Sequence, residues 1–334
     1  MPFYRKDDDV KGKSLDVQHH IAQCAVLAHD LLYATELKPG AASFSSEFED
    51  TKTVHFLAGG IGLFTPIFEL AKRGILVAQN LLWYDDTELG FLIEASLRQS
   101  KAWYRAPGNT ILGTLIMFAP LTVGMANSYA MEGMKVSSQL DLEVVTGIAE
   151  QFLKNSSTED CVMLTKTLND HVSKSVLHSD KEEDDFNSFI ETYKHERTNL
   201  YEFTKFYESR DLIFSELANR YQISLKYGYP TFMKVYEESA DFQKSIAQTF
   251  LTLLAEKKDT HLAKRFGNEI ASEVNNQAKK IVKSGGIFTD EGLKKTEELD
   301  HYMKTSREKR INAGSIADLT ATTIFIALIQ GYRP

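Results

Sequence analysis

Thr110-Ile111-Leu112-Gly113-Thr114-Leu115-Ile116-Met117-Phe118-Ala119-Pro120-Leu121-Thr122-Val123-Gly124-Met125-Ala126 is a run without one charged residue. It is marginally short for a membrane span, which needs roughly 20 apolar residues, and Gly113, Pro120 and Gly124 interrupt it. A helix that is hydrophobic all round is explained more simply by burial inside a bundle. The rest of the chain supplies the bundle. Apolar residues recur at helical spacing, and no alternating run of strand length with a hairpin turn stands out. The expected fold is all-α, a single multi-helix globular domain around a buried central apolar helix at about 109–130.

Working outward, Ser14 precedes Val17, Ile21, Cys24, Ala25, Ala28, Leu31 and Leu32, which share one helical face. Lys38-Pro39-Gly40 stops that helix, and a loop runs to Asp50. Thr51 to Leu81 reads as helical, with Gly59, Gly60, Gly62 and Pro66 bending or breaking it. Asp86-Thr87 opens a helix ending near Tyr104, and Arg105-Ala106-Pro107-Gly108 leads to Asn109, placed to cap the uncharged helix. Further helices are expected at about 138–154, 158–171, 183–207, 209–225, 240–257, 260–284, 290–309 and 315–330. The acidic run 181–185 reads as a solvated helix start.

The 334 residues are 43% hydrophobic and 25% charged, an ordinary globular composition. No Pro/Gly/Ser-rich linker divides them, so residues 14–334 read as one domain behind a flexible tail, 1–13. The formal net charge of -8 demotes nucleic acid as a partner but leaves room for a local cationic pocket. Two cysteines, Cys24 and Cys161, cannot build a disulfide framework and read as buried thiols. The charged N-terminus has no apolar core of a signal peptide, so the expectation is a cytoplasmic protein with no membrane partner.

Four loop-to-helix junctions combine small and polar residues: Lys38-Pro39-Gly40 with Glu49-Asp50-Thr51; Pro107-Gly108-Asn109-Thr110 with Gly113; Asp259-Thr260-His261 with Lys264-Arg265-Phe266-Gly267; and Asn312 to Asp318. Helical proteins build sites from facing helix ends, where free N–H groups suit anions. The last junction, Asn312-Ala313-Gly314-Ser315-Ile316-Ala317-Asp318-Leu319-Thr320, sets a carboxylate in an apolar helix. An Asp there needs a partner. Asp50-Thr51, Asp86-Thr87 and Asp259-Thr260 each sit at a helix start, and capping alone accounts for all three pairs. Lys38 alone would suit the helix dipole, and Arg265 alone a surface ion pair.

In combination these segments resemble the triphosphoribosyl-dephospho-CoA synthase family, in its divergent, archaeal-type branch. The matching elements are Lys38-Pro39-Gly40, Phe48-Glu49-Asp50-Thr51, Gly108-Asn109-Thr110 with Gly113, Leu251 to Gly267 and Asn312 to Ala321, in family order over nearly the whole chain. The resemblance implies an all-α fold and a transferase that moves the triphosphoribosyl group of ATP to a ribose hydroxyl of dephospho-CoA, with release of adenine. Bacterial members carry Asn-Thr-His-Lys-Gly where this chain has Asn109-Thr110-Ile111-Leu112-Gly113. The acceptor therefore stays open, and a homodimer is allowed.

Displacing adenine from C1′ passes through an oxocarbenium-like state. It needs a carboxylate, a donor to the departing base, and cations or Mg²⁺ on the triphosphate. Asp50, Asp259 and Asp318 are the expected catalytic acids, and Asp50 and Asp86 the expected Mg²⁺ ligands. Lys38, Asn109, Thr110, Lys264, Arg265, Gly314 and Ser315 are the expected ATP contacts, and Arg210-Asp211 is a weaker candidate pair. The sequence does not divide base, acid and metal roles among the four acids. Two rivals stand beside this reading. His29-Asp30 resembles the start of an HD-type metal phosphohydrolase site, but His19 and His20 lie on the same helix. A helical nucleotide-binding protein without catalysis is the other.

Overall fold

The computed structural model describes residues 6–105, 108–171, 186–307 and 310–334. The chain begins with α1 (Lys6–Ala34), then α2 (Thr53–Ile61), α3 (Phe64–Ala78), α4 (Leu89–Lys101) and α5 (Leu112–Met131). Next come α6 (Leu142–Lys154), α7 (Thr158–His171), α8 (Phe186–Glu196), α9 (Leu200–Tyr207), α10 (Leu212–Ala218) and α11 (Tyr229–Ser239). The last five are α12 (Phe242–Glu256), α13 (Thr260–Phe266), α14 (Asn268–Lys283), α15 (Asp290–Thr305) and α16 (Gly314–Ile329). Among the described residues there is no strand, only an isolated bridge between Ser43 and Ser46.

The uncharged run becomes α5, buried over almost its whole length and packed on α3, α6, α1 and α16. Asn109 was expected as the N-cap; that position is Ile111, and Asn109 Oδ1 instead accepts from the first amide of the helix, Leu112 N, at 3.0 Å. The second all-apolar helix, α16, lies against α1, α12 and α5. These helices share the core, and Cys24 and Cys161 are buried free thiols within it. No single described helix is long and apolar enough to cross a membrane, although the bent pair α2–α3 passes by length and composition.

Several boundaries differ from the sequence reading. Helix α1 starts at Lys6, so the expected tail 1–13 is helical from that point. Acids at positions 7–9 suit a helix start. The helix expected at 183–207 divides at Arg197, which has φ 54°, and restarts behind the Asn199–Glu202 capping box. The one expected at 260–284 divides at Gly267, whose φ of 92° glycine adopts without strain. Helix α11 was not expected; Pro230 lies in its first turn, where the missing N–H has no partner to lose. Ala106-Pro107 and the acidic run 181–185 lie outside the described residues.

Candidate active site

A cavity of about 430 Å³ opens where the starts of α5, α10, α13 and α16 meet the end of α7 and the loop after α1. Its lining includes Asn109, Thr110, Lys264, Arg265, Gly314, Ser315 and Asp318, seven of the expected site residues. The remaining expected residues, Lys38, Asp50, Asp86 and Asp259, do not line it.

Asp318 is half-buried, and its carboxyl group opens on the cavity. Thr114 Oγ1 donates to its Oδ1 at 2.7 Å. The other oxygen, Oδ2, faces Gly113: a Cβ there would overlap it and stand 2.7 Å from Cγ. Burial raises the carboxyl pKa to about 7, and the charges of Asp259 and Asp211 add to the rise. Asp318 is thus partly protonated near neutrality, and among the described residues no ion pair is made with it.

Asp211 is the second carboxylate of the cavity. Its Oδ1 accepts from Ile213 N at 2.9 Å and so caps α10, while Oδ2 takes Lys264 Nζ at 2.7 Å. The pair orients Lys264. Arg265, next in sequence, is exposed at the cavity edge with its guanidinium 5.6 Å from the Phe266 ring. His171, the last residue of α7, also lines the cavity, and its Nδ1 lies 3.0 Å from Lys101 Nζ. An aromatic wall completes the site: Tyr33 and Phe56 stack at 4.0 Å between centroids, with Phe48 beside Phe56. The Asp318 charge is felt at Tyr33, whose phenol burial already pushes well up. Thr110 Oγ1 is buried without a partner among the described residues and packs against Gly59, one turn from Phe56.

The four residues outside the cavity have other work. Asp259 was expected to be catalytic. It is 1% exposed, and both its oxygens accept from backbone amides: Oδ1 from Leu262 N at 2.7 Å and Oδ2 from Ile316 N at 2.9 Å. It caps α13 and α16 together, a role its Asp-Thr start announced for one helix only. Lys38 was expected on phosphate. Its amine is buried, donates to the carbonyls of Thr35 and Ala42, and holds the loop that brings Ala41, Ala42 and Phe48 to the cavity. Asp50 is exposed two residues beyond Phe48, and Asp86 is exposed in the turn Asp85–Thr87 before α4. Neither faces the cavity as an expected metal ligand would.

Asn109 and Ser315 have structural duties as well as a place on the lining. Asn109 Nδ2 donates to His171 O at 3.5 Å. Ser315 Oγ accepts from His261 N at 3.2 Å and lies 3.2 Å from Thr260 Oγ1. Among the described residues no group of three or more His, Cys, Asp or Glu side chains is arranged to hold a metal ion. His29, of the rival metal site, is fully buried with Nε2 3.1 Å from Phe56 O. It is a core histidine behind Tyr33.

Sequence reasoning undervalued Asp211, His261, His171 and the aromatic wall. The pairing of Asp211 with Lys264 spans 53 residues, so no local pattern reveals it.

The all-helical domain thus gathers Asp318, an aromatic wall and the cations Lys264 and Arg265 on one cavity. The chain belongs to the ATP:dephospho-CoA triphosphoribosyl transferase family, whose model matches residues 18–334. It is similar to a probable 2-(5''-triphosphoribosyl)-3'-dephosphocoenzyme-A synthase of Salmonella gallinarum, 33% identical over 98 residues, 29% of this chain and 32% of the relative. The 2-(5''-triphosphoribosyl)-3'-dephosphocoenzyme-A synthase of Klebsiella pneumoniae is 31% identical over the same shares of both chains. The chain thus spans about a third of the length of the curated relatives it matches. A crystal structure of a candidate triphosphoribosyl-dephospho-CoA synthase from Archaeoglobus fulgidus shares the fold. The TM-score is 0.59 and the identity 21%, covering 84% of this chain and 100% of that one.

Proposed function

We propose that the cavity binds ATP and transfers its triphosphoribosyl group to a hydroxyl of dephospho-CoA or a related acceptor, releasing adenine. The observation that carries this reading is the set of groups that share the cavity. The stacked Tyr33 and Phe56, the Asp318 carboxyl group and the Asp211–Lys264 pair all line it. A nucleotide offers a partner to each: a flat base, the C1′ junction, and phosphates. The base lies against Tyr33, Phe48 and Phe56, with Thr110 Oγ1 free to meet a ring nitrogen. The phosphates lie toward Lys264 and Arg265.

Asp318 then stands where the glycosidic bond breaks. The C1′–N9 bond leaves with its electron pair on adenine, and the acceptor oxygen bonds to C1′. Adenine needs a proton and the acceptor hydroxyl must lose one. Thr114 donates to Oδ1, so on this reading the Asp318 proton is carried by Oδ2, beside Gly113. It passes to adenine, and the carboxylate left behind takes the hydroxyl proton. Water-poor walls and fixed donors strengthen both transfers.

Leu112 lines the cavity where bacterial members carry a Lys, and Lys264 gives the same cavity a cation. The described carboxylates do not form a resident metal site. On this reading Mg²⁺ arrives bound to the triphosphate and screens its charge. The setting on this reading is the cytoplasm.

The test is release of free adenine from ATP plus dephospho-CoA, followed by chromatography, with Asp318→Asn beside the wild type. Adenine should form, and the variant should lose about 10²-fold or more in turnover. ATP binding without any adenine over a range of acceptors would leave a binding protein instead.

A further inference from the structure

The proposal above gives no role to His261, a polar residue of the cavity lining. His261 lies in the first turn of α13, ahead of Lys264 and Arg265 on the same helix. Its backbone N–H donates to Ser315 Oγ at 3.2 Å, and its ring lies against the start of α16, where a Cβ on Gly314 would stand 3.2 Å from Cδ2. Two elements therefore fix the imidazole. Yet Nε2 is buried and has no hydrogen-bond partner among the described residues. A buried polar atom left unpaired destabilises a fold, and each such atom calls for an account.

The location supplies one. His261 lines the cavity together with Lys264, Arg265 and Asn312. Burial, aided by Arg265 and Lys264 and opposed by Asp211, holds its pKa down at about 4, so the ring is neutral and has one N–H to give. An anionic oxygen satisfies that N–H and both neighbouring cations at once.

We infer that His261 donates a hydrogen bond from Nε2 to a phosphate oxygen of a nucleotide bound in the cavity, beside Lys264 and Arg265. The inference rests on the nucleotide reading of the cavity. Two phosphate sources share this chemistry, the triphosphate of the donor and the diphosphate of dephospho-CoA.

His261→Phe keeps a flat ring against Gly314 and deletes both nitrogens. Calorimetric titration of the full chain with inorganic tripolyphosphate, ATP and dephospho-CoA decides the matter. His261→Phe should weaken tripolyphosphate binding about tenfold and weaken whichever nucleotide sets its phosphates there by a similar factor. Its Tm should hold or rise, because an unpaired polar atom has gone. His261→Gln, which keeps an N–H donor, should recover part of the affinity. A loss confined to ATP assigns the donor triphosphate, and one confined to dephospho-CoA assigns the acceptor diphosphate. If His261→Phe does not fold, His261→Ala is read with the same probes. Unchanged affinity of a folded variant for all three probes overturns the inference. Wild-type protein that ignores ATP and dephospho-CoA but binds tripolyphosphate through His261 would remove the nucleotide reading and leave the phosphate contact standing. Binding of none of the three overturns both.

Discussion

Gly113→Ala is the sharpest probe of how Asp318 is held. In an ordinary helix interior the change stabilises by about 1 kcal/mol. Here the new Cβ would overlap Asp318 Oδ2 and lie 2.7 Å from Cγ and 2.8 Å from Ile213 Cδ1. Carbon contacts settle at about 3.5–4.0 Å, so the carboxyl group must retreat by about 1 Å. That retreat stretches the 2.7 Å bond from Thr114 Oγ1. Overpacking of this kind costs about 1–3 kcal/mol, which offsets the propensity gain and leaves a net loss of about 0–2 kcal/mol. Activity should suffer more, because a misplacement of about 1 Å at a reacting group costs on the order of 10²-fold. The decisive measurement is a stability cycle by urea denaturation with far-UV circular dichroism. In an Asp318→Ala background only the contact with the flexible end of Ile213 remains, so Gly113→Ala should cost less or become neutral. The coupling between the sites should reach roughly 1–3 kcal/mol. Additive effects, or full adenine release by Gly113→Ala, would refute the geometry drawn for Asp318.

Three further outcomes follow, two from Asp318 and one from Asp259. Asp318 is raised to about 7 by burial, with help from Asp259 and Asp211, so the folded state keeps a proton that the unfolded chain releases near its ordinary value of 3.8. Its contribution to stability is therefore complete below about pH 4 and lost as pH rises to about 7, and Asp318→Asn should flatten that slope in a series of melting curves. Adenine release by the wild type should also decline above about pH 7, where the proton is gone. Asp259→Ala removes caps from two helices at once and should cost about 2 kcal/mol in urea denaturation, at about 1 kcal/mol per cap. Loss of turnover with undiminished stability would instead make Asp259 a chemical participant.

Much of the architecture was legible because burial leaves a compositional trace. A run without charges, such as 110–126, has few alternatives to a core helix. The break at Gly62 follows from local backbone chemistry, whereas the one at Gly267 was missed inside the run 260–284. Asp318 was found because a carboxylate in an apolar helix must be explained. Lys38 misled because a lysine before Pro-Gly looks solvent-facing, while its amine is buried and bonded to the carbonyls of Thr35 and Ala42. Asp259 misled for a related reason: half of its bonding lies across 57 residues of chain. Helix α11 escaped because Pro230 reads as a breaker until its position in the first turn is known.

The double cap by Asp259 also bears on how the protein could move. One carboxylate rivets α13, which carries His261, Lys264 and Arg265, to α16, which carries Asp318. Ser315 adds a second tie between the same two helix ends. Lys264, Arg265 and Asp318, to which the proposed function gives the phosphate contacts and the proton transfer, are thereby set on one joined pair of helix ends. The loop from Lys38 to Phe48 on the opposite side is tied separately, by Arg310 to the carbonyls of Ala41, Ser46 and Glu47.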